Sequence, residues 1–384
     1  MINNFLVSGM FRSGTTIFAR MLHSNPYITC SSDPFAPIYK SYRNTVAEGI
    51  FSEFDILSPL NDYYFDENQN KLFNEIQNKD FSIAISEKEI FNLQKKIANH
   101  CVPYSPKIIP YLDMLKGKTY EDIFNNAINI VKKAYGSDNE KAVGFKEVWV
   151  GEFAPHFLKM SDQNKVIHVI RDPRSVVASN FASGKAYPLL FLIRQWRKLA
   201  SLAWLNAQHN NAILIRFEDL ISNTKEVANK VCTFLDVDFH ENMIDPSYYK
   251  DGDGKQWTQN TSHEIKGSGK RFNKETSNKW KKSLDVNTTN LIETLCCFEM
   301  NLFNYNFTKK QDLKKSGELL DYKDTTQFSD WIKPYAKYDN FREISIELER
   351  IYLLKYRGNV SNKTLRLLLL NPEIVNHIFH FNNN

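Results

Sequence analysis

The run Leu6-Val7-Ser8-Gly9-Met10-Phe11-Arg12-Ser13-Gly14-Thr15-Thr16-Ile17-Phe18-Ala19-Arg20-Met21-Leu22 constrains this chain more than any other. An apolar strand pattern closes at Gly9, and Ile17, Phe18, Met21 and Leu22 then recur at helical spacing until Ser24-Asn25-Pro26 stops them. Strand, glycine loop and helix in that order make an anion cradle. The backbone N–H groups of the turn and the positive end of the helix point at the same spot. The loop keeps both glycines and the hydroxyls of the G-x-x-x-x-G-K-[ST] phosphate loop but has Thr15 where that pattern has lysine. Its cation sits inside the loop, at Arg12. The magnesium and γ-phosphate arrangement that the lysine serves is therefore not expected. The other reading of so short a motif is a tight strand-to-helix turn that binds nothing.

Further strand-to-helix units follow. Val166-Ile167-His168-Val169-Ile170 is the near-continuous apolar run of a parallel strand covered on both faces, with Asp172 at an N-cap position and Pro173 at the first helical position after it. A strand from Ala212 to Phe217 leads to a periodic helix from Lys225 to Leu235, and a shorter strand, Ala142 to Phe145, precedes Lys146. Alternating strands and helices predict an α/β fold: a P-loop-like three-layer α/β/α arrangement around a central parallel sheet. Between Phe35 and Asp138 the text is aromatic-rich and punctuated by Asn and Ser, with helices expected over Glu87–Asn99 and Tyr120–Ala134. It reads as a helical insert over about 36–138. Lys309 to Lys315 resembles a linker and Ser329 to Asn384 reads as helical, giving a main domain over 1–307 and a helical C-terminal extension over 308–384.

Arg171 stands at the carboxyl end of the second strand, where ligands of open α/β sheets bind. Ser179 follows two turns into the next helix, with Arg174 near it. A guanidinium matches phosphate oxygens bidentately, so Arg171 and Ser179 are candidates for a second phosphate site. The alternative is a structural Arg171–Asp172 pair with Ser179 on the helix surface.

Composition narrows the partners. At 42% hydrophobic and 24% charged residues the chain is of ordinary globular type, and its net charge of +5 is spread along it apart from the basic run Lys266 to Lys282. Nucleic acid is not an expected partner; small anionic ligands are. The five cysteines, Cys30, Cys101, Cys232, Cys296 and Cys297, show no metal-ligand spacing and form no disulfide framework, so they read as reduced, mostly buried thiols. The opening residues lack a signal-peptide pattern, and apolar stretches such as Leu367 to Leu370 fall well short of the ~20 residues that span a bilayer. A cytoplasmic protein without a membrane span is expected.

The phrases "FRSGTTIFARML", "SNP", "GFKEVW", "KVIHVIRDPRSVVAS", "IRFEDLISNTKEVANKVCTFLDVDF" and "WTQNTSH...NKWKKSL" stand in the order and spacing of sulfotransferases that use 3'-phosphoadenosine 5'-phosphosulfate (PAPS), and the chain resembles that family over Asn4–Phe35 and Val143–Asn306. The resemblance implies sulfuryl transfer from PAPS to a hydroxyl or amine acceptor, with 3'-phosphoadenosine 5'-phosphate (PAP) as product and no metal. By it, Arg12, Ser13, Gly14, Thr15 and Thr16 hold the 5'-phosphosulfate and Arg171 and Ser179 the 3'-phosphate. Gly269, Lys270 and Arg271, in the basic loop from Lys266, close over the nucleotide. Arg12 is matched to the bridging and leaving oxygens and Lys146 to the transferred group. Cytosolic relatives carry a histidine shortly after the lysine, as K-T-H, whereas this chain has Lys146-Glu147-Val148. In branches resembling tyrosylprotein and carbohydrate-type sulfotransferases an acidic residue soon after the first helix serves as base, and Asp33 in "TCSSDPFAPI" stands at that place; Glu147 and His263 are the alternatives. Trp149 or Trp257 would stack the adenine or belong to the core. A small molecule, a carbohydrate or a peptidyl group all fit as acceptor, with the aromatic insert walling its pocket, and the oligomeric state is left open. Two other functions share the loop: a P-loop kinase or nucleotide hydrolase, and a non-catalytic nucleotide-binding module.

Overall fold

A computed structural model of the chain describes residues 2–60, 67–182, 187–257, 274–309 and 340–356. Its strands are β1 (Asn3–Gly9), β2 (Ile28–Ser32), β3 (Ala142–Val148), β4 (Asn164–Ile170) and β5 (Ala212–Arg216). Its α-helices are α1 (Thr15–His23), α2 (Ala36–Glu48), α3 (Glu67–Asn78), α4 (Glu87–Cys101), α5 (Tyr120–Tyr135), α6 (Ala154–Met160) and α7 (Pro173–Ala182), then α8 (Leu189–Asn206), α9 (Phe217–Ser222), α10 (Thr224–Leu235), α11 (Trp280–Ser283), α12 (Val286–Leu295), α13 (Cys297–Leu302) and α14 (Asn340–Tyr356). They fall into two compact units. One comprises Met1–Phe54, Glu75–Arg171 and Asn206–Lys274; the other comprises Asp55–Asn74, Asp172–Leu205 and Glu275–Asn384.

The first unit holds the sheet, all parallel, in the order β2-β3-β1-β4-β5. The expected α/β architecture with a central parallel sheet is what the chain adopts. β1 is central because its apolar run has neighbours on both sides: Val7 is level with Lys146 of β3 and Ile167 of β4. Side chains alternate across a strand, so Phe5 and Val7 face one way. There they join Phe18, Met21 and Leu22 of α1 and Val227, Val231 and Leu235 of α10 in one buried core.

The sequence reading did not include β2. Thr29, Ser31 and Ser32 break the apolar pattern, yet all three are buried beside β3, with Ser32 level with Lys146. The two helices expected in the insert are present as α4 and α5, each with a cap that explains where it starts. Ser86 accepts from Glu89 N at 3.2 Å, and Thr119 and Asp122 form a capping box. Four of the insert's rings pack on one another and on Phe153 beyond it. Tyr39, Tyr42, Phe81 and Phe124 are all buried, with Phe81 and Phe124 4.3 Å apart, so these four belong to a core.

In the second unit, α14 of the expected C-terminal extension is held by buried ion pairs. Glu347 pairs with Arg194 (2.9 Å) and Arg197 (2.5 Å) of α8, and Arg350 pairs with Glu299 of α13 (2.5 Å). Burial pushes the Glu347 carboxyl up, but Arg197 and Arg194 outweigh it and hold the group at about 2. All five cysteines are free and buried, and no described helix is long and apolar enough to cross a membrane.

Candidate active site

Parallel strands put their carboxyl ends on one edge, and in the first unit that edge gathers the loop after β1, Asp33 after β2, Trp149 after β3 and Arg171 after β4. The loop turns on a hydrogen bond from Ser13 N to Met10 O (3.2 Å), with Arg12 at φ 67° and Gly14 at φ 83°. Left-handed residues in such a turn bring successive N–H groups to bear on one point, a concavity suited to an anion. Gly14 is required twice over. Its φ is in the left-handed region, and a β-carbon there would fall 2.2 Å from Phe217 Cδ2. α1 begins at Thr15, and no side chain caps its N-terminus. Its first-turn N–H groups therefore face a ligand or water. Ser13 Oγ is buried and makes no hydrogen bond. Thr15 and Thr16 follow in the same first turn.

Two aromatic contacts shape the loop. Phe11 stacks on Trp149 at 5.1 Å, and the Arg12 guanidinium lies 5.7 Å from the Phe11 ring centre. Trp257 instead belongs to the sheet's core cluster. Arg171 is nearly fully buried; its Nη1 donates to Arg12 O (2.9 Å), and its guanidinium lies 4.4 Å from the Phe217 ring centre. Phe217 thus braces both Gly14 and Arg171. Nothing in the sequence reading singled it out, although an aromatic directly after β5, at the carboxyl edge, is the signal that marks it.

Asp33 and Lys146 meet at the ends of neighbouring strands. Asp33 N donates to Lys146 O (2.7 Å), continuing the β2–β3 ladder by one residue, and Asp33 turns out of it at φ 49°. Aspartate tolerates that left-handed conformation better than most residues. Lys146 Nζ, 2% exposed, pairs with Asp33 Oδ2. Asp33 Oδ1 is buried and has no hydrogen-bond partner. His100 lies beside Asp33, and burial holds its imidazole below the ordinary value; it is a second neighbour that the sequence reading missed. Glu147 follows Lys146 on β3 and so faces the other side of the sheet. There its carboxylate accepts from Phe35 N at the start of α2, and burial, then Asp33, push its pKa well up. Glu147 therefore serves α2, while Asp33 faces the same edge as the loop.

Ser179 lies on α7 in the second unit and is buried, not a helix-surface residue. Asp172 pairs with Arg174 (2.6 Å), which also bonds Glu293 (2.6 Å) and lies 4.0 Å from the Trp280 ring centre. His263, Gly269, Lys270 and Arg271 lie outside the described residues.

A family model described as the Sulfotransferase family matches residues 4–241. No curated protein sequence matches the chain. Among solved structures, the chain is similar to the sulfotransferase domain from the curacin biosynthetic pathway, at 15% identity and TM-score 0.44, over 80% of this chain and 99% of that one. It is also similar to the sulfotransferase domain of the Synechococcus PCC 7002 olefin synthase, at 17% identity and TM-score 0.41, over 77% and 94%. A third is retinol dehydratase in complex with androsterone and the inactive cofactor PAP, at 14% identity and TM-score 0.38, over 80% and 82%.

Proposed function

Because the chain belongs to the sulfotransferase family, we propose that it moves the sulfuryl group of PAPS onto a hydroxyl or amine of an acceptor. The observation that carries this reading is Asp33, with Oδ2 paired to a buried lysine and Oδ1 without a partner, on the same sheet edge as the uncapped loop.

The residues of the loop suit a phosphosulfate. An uncapped helix start, a buried Ser13 Oγ without a bond and a glycine held at positive φ make a cradle of N–H donors. No lysine follows Gly14, which agrees with a ligand lacking a γ-phosphate. When bound, the donor supplies an activated sulfuryl group on a nucleotide leaving group. Arg12, Ser13, Gly14, Thr15 and Thr16 would hold its 5' end, and Arg171 its 3'-phosphate. Ser179, Gly269, Lys270 and Arg271 keep the nucleotide-binding roles that the family resemblance implies. The sulfotransferase domain would span 1–307, with 308–384 as a helical extension.

Asp33 Oδ1 would accept the proton of the acceptor, since it is the oxygen not already used. Lys146 and Arg12 would offset the negative charge that grows on the transferred group and the leaving oxygen. Lys146 also orients Asp33, and its pairing with Oδ2 leaves Oδ1 without a hydrogen-bond partner and able to accept one.

Calorimetry and a transfer assay test the proposal. The chain should bind PAP without magnesium, and label from PAPS should reach an acceptor as well with a chelator present as without. Binding of ATP with magnesium and none of PAP would overturn it.

A further inference from the structure

α1 carries a buried cation that neither the loop nor the core uses. Arg20 lies one turn after Thr16 on the same helix face. It is only 7% exposed, yet its guanidinium makes no hydrogen bond or ion pair among the described residues. Its long side chain leans toward the start of the helix, as helical side chains do, and so toward the edge that carries Asp33. A largely buried guanidinium whose Nε has no partner is costly. A site that keeps one favours an anion.

The surroundings agree. Arg20 lies near the Cys30 thiol and the Tyr135 phenol, both kept neutral by burial, and near the carboxylates of Asp251 and Asp33, and it bonds to none of them. Lys107 and Lys250 stand exposed at the surface of the same region, and together with Arg20 they act on the neighbouring His23. Lys107 Nζ lies 5.8 Å from the Tyr135 ring centre, and that ring meets His23 edge-on at 6.0 Å. Among the described groups that act on Arg20 and His23, three cations stand with the Asp251 carboxylate, Asp33 being paired with Lys146. A tyrosine ring supplies an apolar wall.

We propose that this pocket is a subsite for a carboxylate on the acceptor: Arg20 grips the acid while the acceptor's hydroxyl meets Asp33 Oδ1. The identity of the ligand rests on the sulfuryl-transfer reading; the existence of an anion pocket does not. A guanidinium takes a carboxylate bidentately, and Lys107 and Lys250 draw it in from solvent.

Benzoate is the probe for the pocket, titrated calorimetrically into the full chain with PAP present. Saturable binding is expected, weakened at least about tenfold in Arg20→Gln and by roughly two- to fivefold in the exposed pair Lys107→Gln/Lys250→Gln, with PAP affinity unchanged. The exposed pair keeps the test open should Arg20→Gln fail to fold. No saturable benzoate binding, or equal binding by wild type and variants, would overturn the subsite. If PAP itself fails to bind, the donor assignment falls, and the same titration on the nucleotide-free chain still reads the pocket. A transfer assay then separates the two sources of an anion. With 4-(hydroxymethyl)benzoate and its methyl ester as acceptors, the acid should be preferred about tenfold or more in kcat/KM, and the preference should vanish in Arg20→Gln. Equal use of acid and ester beside intact benzoate binding would make the pocket a site for a small-anion effector and overturn the acceptor assignment. Transfer to neither would count against both that assignment and the sulfuryl-transfer reading.

Discussion

Asp33 and Lys146 are joined twice, once through backbone, Asp33 N to Lys146 O at 2.7 Å, and once through side chains, Nζ to Oδ2. The double link fixes where the carboxylate stands relative to β3. It also distinguishes the two carboxylate oxygens, Oδ2 paired with the lysine and Oδ1 buried without a hydrogen-bond partner.

Asp33→Asn should therefore abolish the base while leaving the local geometry nearly intact. Transfer is expected to fall by about 10²–10⁴-fold, with PAP affinity unchanged by calorimetry. Lys146→Met should also cost transfer, and it would leave Asp33 without its partner. Full activity in Asp33→Asn would remove Asp33 from the mechanism.

Gly14→Ala should damage the loop. The positive φ and the contact with the Phe217 ring each oppose a β-carbon, and a loss of about 1–3 kcal/mol in stability is expected, with weaker PAP binding. Phe217→Ala in the same chain should relieve the overlap but not the backbone strain, so recovery would be partial. Thermal melts and nucleotide titrations of the two variants beside wild type measure both terms.

Glu347→Gln should be among the most destabilising single changes in the second unit. It takes from Arg197 its paired carboxylate and leaves Arg194 with Glu343, at a cost of about 3–5 kcal/mol. Denaturant titration reads the loss. A change below about 1 kcal/mol would show that the pairing contributes little.

Stability should fall as the medium is acidified from pH 6.5 toward 4. Burial holds the imidazoles of His156 and His168 at about 4, against an ordinary value of 6.5. In that window the unfolded chain binds protons that the folded chain refuses, so each group favours unfolding by about 1.4 kcal/mol per pH unit. His168 Nε2 lies 3.2 Å from Asn206 Nδ2. His168→Gln keeps an acceptor there but cannot titrate, and it should flatten the slope of melting temperature against pH. An unchanged slope would clear His168 of the effect.

Much of the first unit was legible in the residue order. The opening strand, loop and helix, the runs ending at Ile170 and Arg216, and the helices starting at Glu87 and Tyr120 all follow from local signals: apolar period, caps and glycine. β2 was not legible, because Thr29, Ser31 and Ser32 are hydroxyl residues that only pairing with β3 makes buried. The insert's aromatics were legible as apolar but not as a core of their own, since periodicity does not say which ring meets which.

By itself the sequence determined the loop, the parallel sheet and the candidate status of Arg171 at a strand end, because spacing and residue type are local properties; Asp33 and Lys146 became candidates through the resemblance of their phrases to the family. Tertiary structure decided the roles. Asp33 and Lys146 meet because β2 lies beside β3, Glu147 is turned to α2 by the alternation of the strand, and Arg171 braces the loop through Arg12 O and Phe217. Those relations join residues many positions apart, and only the packing of the sheet and its helices sets which polar atoms are satisfied and which, like Asp33 Oδ1 and Arg20 Nε, have no hydrogen-bond partner among the described residues.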